Sequence, residues 1–245
     1  MKAALLGATK GMGRSLARLM AARGDRLFLL GRDAADLEKS ARDLELRGAP
    51  GTVGTAPCDL ERPEQFAPAL AAAEQALGGL DAVVVTADLF ATQDRLEEDP
   101  DLALRLLRVD FAHTVAFCEE ARRRLIARGG GTLCVFSSVA GERGRKPVVL
   151  YGAAKAGLSR YLEGLDHRYR AAGLRTVCIK PGFVKTSMTE GLTPPPFAGE
   201  PDAVARVVLK AIDRGTPVVY APGIWRLVMA VIRLLPRAVM RKIKF

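Results

Sequence analysis

A tyrosine and a lysine four residues apart could carry out proton transfer in this chain. Tyr151 and Lys155 lie in the segment YGAAK, and positions i and i+4 share one face of a helix. A phenol titrates near about 10 in water, and a neighbouring ammonium favours the phenolate. We therefore expect Lys155 to lower the pKa of Tyr151, so that the pair exchanges protons with an alcohol or a carbonyl. Ser138, in FSSVAG, is a candidate hydrogen-bond donor to that carbonyl.

A glycine-rich segment, GATKGMG, follows the first apolar run and precedes a helical pattern. In this context Gly7 permits a tight turn, Gly11 lets the backbone approach a pyrophosphate, and Gly13 allows close helix packing. The segment therefore predicts a dinucleotide site, with an ordinary strand-to-helix turn as the alternative. The candidate cofactor contacts here are Gly7, Thr9, Lys10, Gly11, Met12 and Gly13.

The end of the second strand bears on which dinucleotide is bound. An acid there would hold the ribose hydroxyls of NAD(H), whereas a base would hold the extra phosphate of NADP(H). Arg32 follows this strand, and Lys10 in the glycine segment supplies a second positive charge. Asp33 is the competing acid, but its position also suits a helix cap. The two bases favour NADP(H), and NAD(H) stays possible.

Short apolar runs alternate with helical patterns along the whole chain. This alternation predicts a parallel, doubly wound sheet with right-handed crossovers in a single Rossmann-type domain over residues 1–245. The seven predicted strands lie at residues 3–6, 26–30, 51–57, 81–86, 132–137, 174–180 and 217–220. The predicted helices lie at residues 12–22, 34–47, 63–77, 100–128, 151–172 and 201–213.

The cysteine and histidine content argues against several classes of protein. The four cysteines show no CxxC spacing, and the two histidines lack a metal-ligand spacing, so we expect reduced thiols and no metal. FSSVAG is not the GxSxG context of a hydrolase. The first residues lack the apolar length of a signal peptide, and we expect a cytoplasmic location.

Four segments in order, GATKGMG, FSSVAG, YGAAK and PGFVKT, resemble the short-chain dehydrogenase/reductase family. The resemblance implies that hydride passes between a nicotinamide and a carbonyl carbon. It makes Tyr151 the general acid and Ser138 the partner of the substrate carbonyl, while Lys155 lowers the pKa of Tyr151 and holds the nicotinamide ribose. It also implies homodimers or homotetramers. The further cofactor contacts that it implies are Asp59, Ala87, Pro181, Gly182, Val184 and Thr186.

Two positions depart from the family pattern. Where the family has Asn-Asn-Ala-Gly, residues 85–88 keep only the alanine, Ala87, and end in Asp88. This carboxylate would either repel the cofactor phosphates or point to solvent. The family's relay asparagine is replaced by Asp110, which we include among the catalytic candidates. Asp110 would support a proton relay and alter the pKa values of Lys155 and Tyr151, or be a plain solvated or lysine-paired acid.

The last part of the chain is basic and apolar. After Asp213 there are seven basic residues and no acidic one. Residues 224–245 predict a basic amphipathic tail whose first helix, about 18 Å long, is too short to cross a bilayer. Such a tail could lie on the inner membrane surface, cover the substrate cleft or form a subunit interface. Its single tryptophan and many aliphatic residues disfavour nucleic-acid binding.

The segment AGERGR and this tail resemble decaprenylphosphoryl-2-keto-ribose reductases, which implies a lipid-linked keto-sugar substrate. A 3-oxoacyl thioester reductase that docks an acidic carrier protein is the alternative enzyme. A non-catalytic NADP(H)-binding sensor or scaffold is the alternative from another class. Residues 187–200 follow the predicted cofactor turn, and we expect this loop to close over the substrate.

Overall fold

Seven parallel strands form one sheet in the computed structural model, which describes residues 1–243. The strand order is β3-β2-β1-β4-β5-β6-β7, and every neighbouring pair is parallel. The order reverses between β1 and β4, so a crevice opens there at the carboxyl ends of the strands. The predicted seven-stranded, doubly wound sheet is confirmed. The strands are β1 (Lys2–Leu6), β2 (Arg26–Gly31), β3 (Gly54–Pro57), β4 (Ala82–Val85), β5 (Gly131–Phe136), β6 (Leu174–Pro181) and β7 (Val218–Ala221).

The central strands are apolar on both faces because helices cover both faces. Successive side chains of a strand point to opposite sides. Val84 and Cys134 accordingly pack in one core, whereas Val83 and Leu133 pack in the other. This double burial explains the continuous apolar runs that the sequence shows in β4 and β5.

Ten α-helices are present in the described part of the chain. Asp33 caps the second helix by accepting a hydrogen bond from the backbone N–H of Asp36 at 2.9 Å. Sequence analysis did not predict the fourth, which is only six residues long. The helices are α1 (Gly11–Ala22), α2 (Ala34–Leu46), α3 (Phe66–Leu77), α4 (Gln93–Glu98), α5 (Pro100–Leu107), α6 (Thr114–Ala127), α7 (Val149–Tyr169), α8 (Pro201–Arg214), α9 (Ile224–Leu234) and α10 (Arg237–Met240).

The helix predicted over residues 100–128 is interrupted by a π-helical turn at Arg108–His113. The Thr114 hydroxyl donates to the Val109 carbonyl at 2.7 Å inside this turn. Such turns often occur at functional sites because they redirect one side chain. Here the turn places Asp110 in the interior, where it is 1% exposed.

Helix α9 packs against its own domain through one apolar face. Trp225, Met229 and Ile232 are buried against Val139. Beside this contact Glu142 accepts a hydrogen bond from Tyr220 at 3.0 Å and forms ion pairs with Lys180 and with Arg233. The C-terminal segment is therefore anchored next to the turn that follows Ser138. Within residues 1–243, no helix combines the length and apolar character that a bilayer crossing requires.

Candidate active site

A cleft of about 930 Å³ lies at the carboxyl ends of the strands. Fifteen of the seventeen predicted site residues line it. The other two, Lys155 and Asp110, are each 1% exposed and lie just beneath its surface. The lining residues among the predicted set are Gly7, Thr9, Lys10, Gly11, Met12, Gly13, Arg32, Asp59, Ala87, Ser138, Tyr151, Pro181, Gly182, Val184 and Thr186.

The glycine loop, residues 7–13, leaves no room for side chains at two of its glycines. A Cβ atom at Gly13 would lie 2.4 Å from Thr86 Oγ1 and 2.6 Å from the carbonyl oxygen of Gly7. Gly7 has φ of +92°, and a Cβ there would lie 2.5 Å from the backbone nitrogen of Ala87. The loop is thus closely packed against the residues that follow β4, and it lines the cleft.

The amino end of α1 suits an anion. No side chain caps this helix, and its first turn carries no acidic residue. Its first N–H groups lack intrahelical partners and carry the positive end of the helix dipole. Thr186 approaches from the opposite wall, its Cγ2 atom 3.3 Å from where a Cβ of Gly11 would be. The residues present therefore fit the pyrophosphate of a dinucleotide.

The bases expected to select the cofactor lie beside α2. Lys10 forms an ion pair with Asp36 at 3.1 Å, which lowers the pKa of that carboxyl through its hydrogen bond and charge. Asp33 caps α2, as the alternative interpretation of this acid predicted. Arg32 is exposed at the cleft. Asp59 also lines the cleft and accepts from the backbone N–H of Glu61 at 3.0 Å.

The relative positions of Ser138 and Tyr151 are fixed by two glycine contacts. Helix α7 lies so close to the turn at Val139–Glu142 that a Cβ on Gly141 would be 2.6 Å from the backbone of Lys155. A Cβ on Gly152 would be 2.9 Å from the carbonyl oxygen of Ala140. Ser138 and Tyr151 consequently line the same cleft. The structure brings together the acid and the carbonyl partner that the sequence predicted.

Asp88 is the main feature of the site that sequence analysis interpreted wrongly. Its Oδ2 atom accepts a hydrogen bond from the Tyr151 hydroxyl at 2.9 Å. Its Oδ1 atom lies 2.8 Å from Lys155 Nζ, and the side chain is 13% exposed. Asp88 therefore neither points to solvent nor faces the glycine loop, because both of its oxygens are directed toward the two residues of YGAAK. The available signal was that β4 ends beside the strand that leads into α7.

Asp110 faces the same lysine from the other side. Its Oδ2 atom lies 3.9 Å from Lys155 Nζ, and its Oδ1 atom accepts from the backbone N–H of Leu89 at 2.8 Å. The sequence left open a relay residue, a solvated acid and a lysine-paired acid, and the burial of Asp110 excludes the solvated acid. Burial and the charge of Asp88 hold the pKa of Asp110 well above its ordinary value, against the opposing effect of Lys155.

The expectation that Lys155 would bring the pKa of Tyr151 down is wrong for this arrangement. Burial first, and then the charges of Asp88 and Asp110, hold the pKa of the Tyr151 phenol well above its ordinary value. Burial alone would lower the pKa of Lys155, but the same two carboxylates raise it. Lys155 therefore keeps its positive charge. The two carboxylates balance this charge, which also acts on the Tyr151 phenol.

A second contact that the sequence did not reveal orients α7. The Oε1 atom of the buried Gln93 accepts from the backbone N–H groups of Val149 and Leu150 at 3.0 and 3.2 Å. These are two of the N–H groups that a helix leaves without partners at its start. The short helix α4 thus positions the helix that carries Tyr151.

Comparison with known proteins agrees with this geometry. The profile of the short chain dehydrogenase family matches residues 2–196. An uncharacterized oxidoreductase of Mycobacterium tuberculosis is 34% identical over 238 residues, which cover 97% of this chain and 95% of the relative. The protein thus belongs to the short-chain dehydrogenase/reductase family. Its members are oxidoreductases that bind a nicotinamide cofactor.

Solved structures show the same fold. A short-chain dehydrogenase/reductase from Mycobacterium ulcerans superposes with a TM-score of 0.81 at 23% identity, covering 89% of this chain and 86% of that protein. A variant of actinorhodin polyketide ketoreductase, solved with NADPH, superposes with a TM-score of 0.80 at 20% identity, covering 89% and 95%. At these identities the likeness concerns the fold alone.

Proposed function

We propose that this protein is an NADP(H)-dependent carbonyl reductase, or alcohol dehydrogenase in the reverse direction. The observation that carries the proposal is that Tyr151 and Ser138 line the same cleft, next to the buried Lys155. The same cleft contains the glycine loop and the uncapped amino end of α1. An acid and an anion site thus share one cavity.

The chain's own residues account for the steps other than hydride transfer. A bound nicotinamide would supply hydride to the carbonyl carbon. Ser138 and Tyr151 would hold the carbonyl oxygen, and Tyr151 would donate a proton to it as negative charge develops. Lys155 would stabilise the phenolate that remains. The glycine loop and the start of α1 would bind the pyrophosphate, and residues 181–186 would border the nicotinamide.

The proposed preference for NADP(H) depends on Lys10 and Arg32. Both bases line the cleft, and so does Asp33, whose Oδ1 atom caps α2. A base recognises a ribose phosphate, whereas an acid recognises ribose hydroxyls. Fluorescence titration should therefore give a lower Kd for NADPH than for NADH. Arg32→Ala should reduce this difference about tenfold, and equal affinities in the wild type would refute the preference.

The favoured substrate is a keto-sugar carried on a lipid phosphate. The cleft has apolar walls that include Phe90, Met188, Leu192 and Trp225, and the loop that carries Met188 and Leu192 borders it from one side. Turnover can be followed by the absorbance of NADPH with a polyprenyl-phosphate keto-sugar and with a 3-oxoacyl thioester. Preference for the thioester would favour the alternative reductase. NADPH binding without turnover of any carbonyl compound would favour a non-catalytic sensor.

We also propose that α9 contacts an anionic membrane surface. Its outer face carries a second apolar row: Ile224, Leu227, Val231 and Leu234 are 39%, 66%, 63% and 84% exposed. Exposed basic residues flank this row, at Arg226, Arg237, Arg241 and Lys242. Apolar side chains can insert among lipids while basic ones meet anionic headgroups.

Vesicle sedimentation tests this contact. The protein should bind phosphatidylglycerol vesicles and not phosphatidylcholine vesicles. A Leu227→Glu, Val231→Glu variant should lose this binding and keep its fold, because both side chains are exposed. Leu46→Glu is the matched control, since Leu46 is 90% exposed on α2. Equal binding by the α9 variant and the wild type would contradict the proposal.

A further inference from the structure

Two carboxyls, one ammonium and one phenol meet beneath the surface of the cleft. Tyr151 donates to Asp88, and Lys155 lies 2.8 Å from Asp88 and 3.9 Å from Asp110. Asp88 and Asp110 are also within hydrogen-bonding reach of each other, provided that one of them is protonated. The four groups thus form one connected set in which Asp88 is adjacent to all the others.

The charges of this set do not balance when both carboxyls are ionised. One ammonium would then face two carboxylates in a region where Lys155 and Asp110 are each 1% exposed. An unpaired buried charge is costly, and a carboxyl pair in such a place holds a proton. The other titratable group that faces Lys155 is Cys178 on β6, whose thiol stays neutral because burial raises its pKa.

Two carboxyl oxygens of this set, Asp88 Oδ1 and Asp110 Oδ2, are buried and have no hydrogen-bond partner within residues 1–243. Asp88 Oδ1 lies 2.8 Å from Lys155 Nζ, whereas Asp110 Oδ2 lies 3.9 Å from it, so the proton is placed on Asp110 Oδ2. Buried carboxylate oxygens are normally hydrogen-bonded. A proton on Asp110 Oδ2 that is donated to Asp88 would satisfy this atom and leave a single negative charge opposite Lys155. Asp88 would still accept the hydrogen bond from Tyr151.

We propose that Asp88 and Asp110 hold one shared proton and deliver it to Tyr151 after each carbonyl reduction. This proposal rests on the proposed reductase function. The Tyr151 O–H bond breaks as the proton moves to the new alkoxide, which has received hydride at its carbon. Asp110 then passes its proton to Asp88, and Asp88 passes a proton to the phenolate along the existing hydrogen bond, so that the carboxyl pair is left with no proton. Solvent later returns one proton to the carboxyl pair, so each turnover consumes one hydride and one proton.

The direction of transfer follows from basicity. Tyr151 is 8% exposed, so its phenolate is poorly placed to take a proton from bulk water. A phenolate is ordinarily a much stronger base than a carboxylate, and the hydrogen bond from Tyr151 to Asp88 provides the path between them. The proton therefore moves from the carboxyl pair to Tyr151.

Infrared difference spectroscopy of the protein without added cofactor tests the shared proton without relying on activity. The wild type at pH 7 should show a carboxylic-acid C=O band that is missing from both Asp88→Asn and Asp110→Asn. In Asp110→Asn the amide can still accept from Leu89 and donate to Asp88, so folding should be preserved. Asp101→Asn, an exposed acid at the start of α5, should keep the band. Absence of the band in the wild type, or its survival in both variants, would overturn the proposal.

Single-turnover kinetics with NADPH test the delivery step. Asp110→Asn should perform the first hydride transfer at nearly the wild-type rate, because Tyr151 begins protonated. Its steady-state rate should fall about tenfold or more, because the stored proton is missing. Equal steady-state rates would overturn the delivery role. If the wild type reduces no carbonyl compound at all, the proposed function fails while the infrared result stands on its own.

Discussion

The two ends of the cleft are built on different principles. At the cofactor end, made of residues 7–13, space determines the arrangement: a Cβ at Gly13 would lie 2.4 Å from Thr86 Oγ1. At the proton-transfer end, made of Asp88, Asp110, Tyr151 and Lys155, charge determines it. Steric requirements of this kind leave a local glycine pattern in the sequence. Charge pairing joins residues that are far apart in the chain.

The largest expected effect is at the proton-transfer end. Tyr151→Phe removes the group that donates to the substrate and should lower kcat by about 10²- to 10⁴-fold. The Kd for NADPH should change little, because the glycine loop is untouched. Steady-state assays and fluorescence titration measure the two quantities. Tyr169→Phe, on the same helix, is the control and should retain activity; an unchanged kcat in Tyr151→Phe would refute the role of Tyr151.

The matching change at the cofactor end is Gly13→Ala. The added methyl group would collide with Thr86 and with the backbone of Gly7, so we expect a loss of about 1–3 kcal/mol in the free energy of unfolding and weaker NADPH binding. Thermal unfolding and titration measure both. Gly164→Ala is the control, since nothing lies within 4 Å of a Cβ there, and should raise stability slightly. Equal NADPH affinity in Gly13→Ala and the wild type would show that the loop is not the cofactor site.

The same contrast explains which parts of the molecule could be predicted. The strands and the glycine loop follow from local patterns, and the structure places them as expected, with Tyr151 and Ser138 in one cleft. The position of Asp88 was missed, because it depends on how β4 and α7 approach each other, which no local pattern shows. The π-helical turn that buries Asp110 was missed for a similar reason, since residues 100–128 have an ordinary helical pattern. The reversed pKa direction of Tyr151 follows from these two errors.

The titration of Tyr151 in Asp88→Asn tests whether charge controls the proton-transfer end of the cleft. Asp88 raises the pKa of Tyr151, so its neutral replacement should lower that pKa and move the tyrosinate titration to lower pH. Ultraviolet titration of Asp88→Asn, with Tyr151→Phe in the same background as reference, isolates this phenol from the other tyrosines. The acid limb of alcohol oxidation, where Tyr151 must act as the base, should move in the same direction. A titration that coincides with the wild type would mean that Asp88 does not act on Tyr151 in solution.

The smallest expected effect is on stability, and its sign depends on pH. The pKa of Asp110 is raised in the folded protein, so the unfolded chain releases this proton at lower pH than the folded one. The resulting stabilisation is fully present below about pH 4, where the unfolded carboxyl is protonated, and is lost as the pH rises through the raised value. Asp110→Asn has no proton to lose at this position, and its Tm relative to the wild type should therefore rise with pH.

Thermal unfolding from pH 4 to pH 9 measures this difference, with Asp101→Asn as an exposed control whose Tm should follow the wild type at every pH. A Tm difference between Asp110→Asn and the wild type that stays constant with pH would mean that Asp110 titrates alike in the folded and unfolded chains. The proton-transfer end would then be an ordinary ion pair of Lys155 with Asp88. A rising difference instead shows that the charge balance of this end is set by a proton, just as the shape of the cofactor end is set by its glycines.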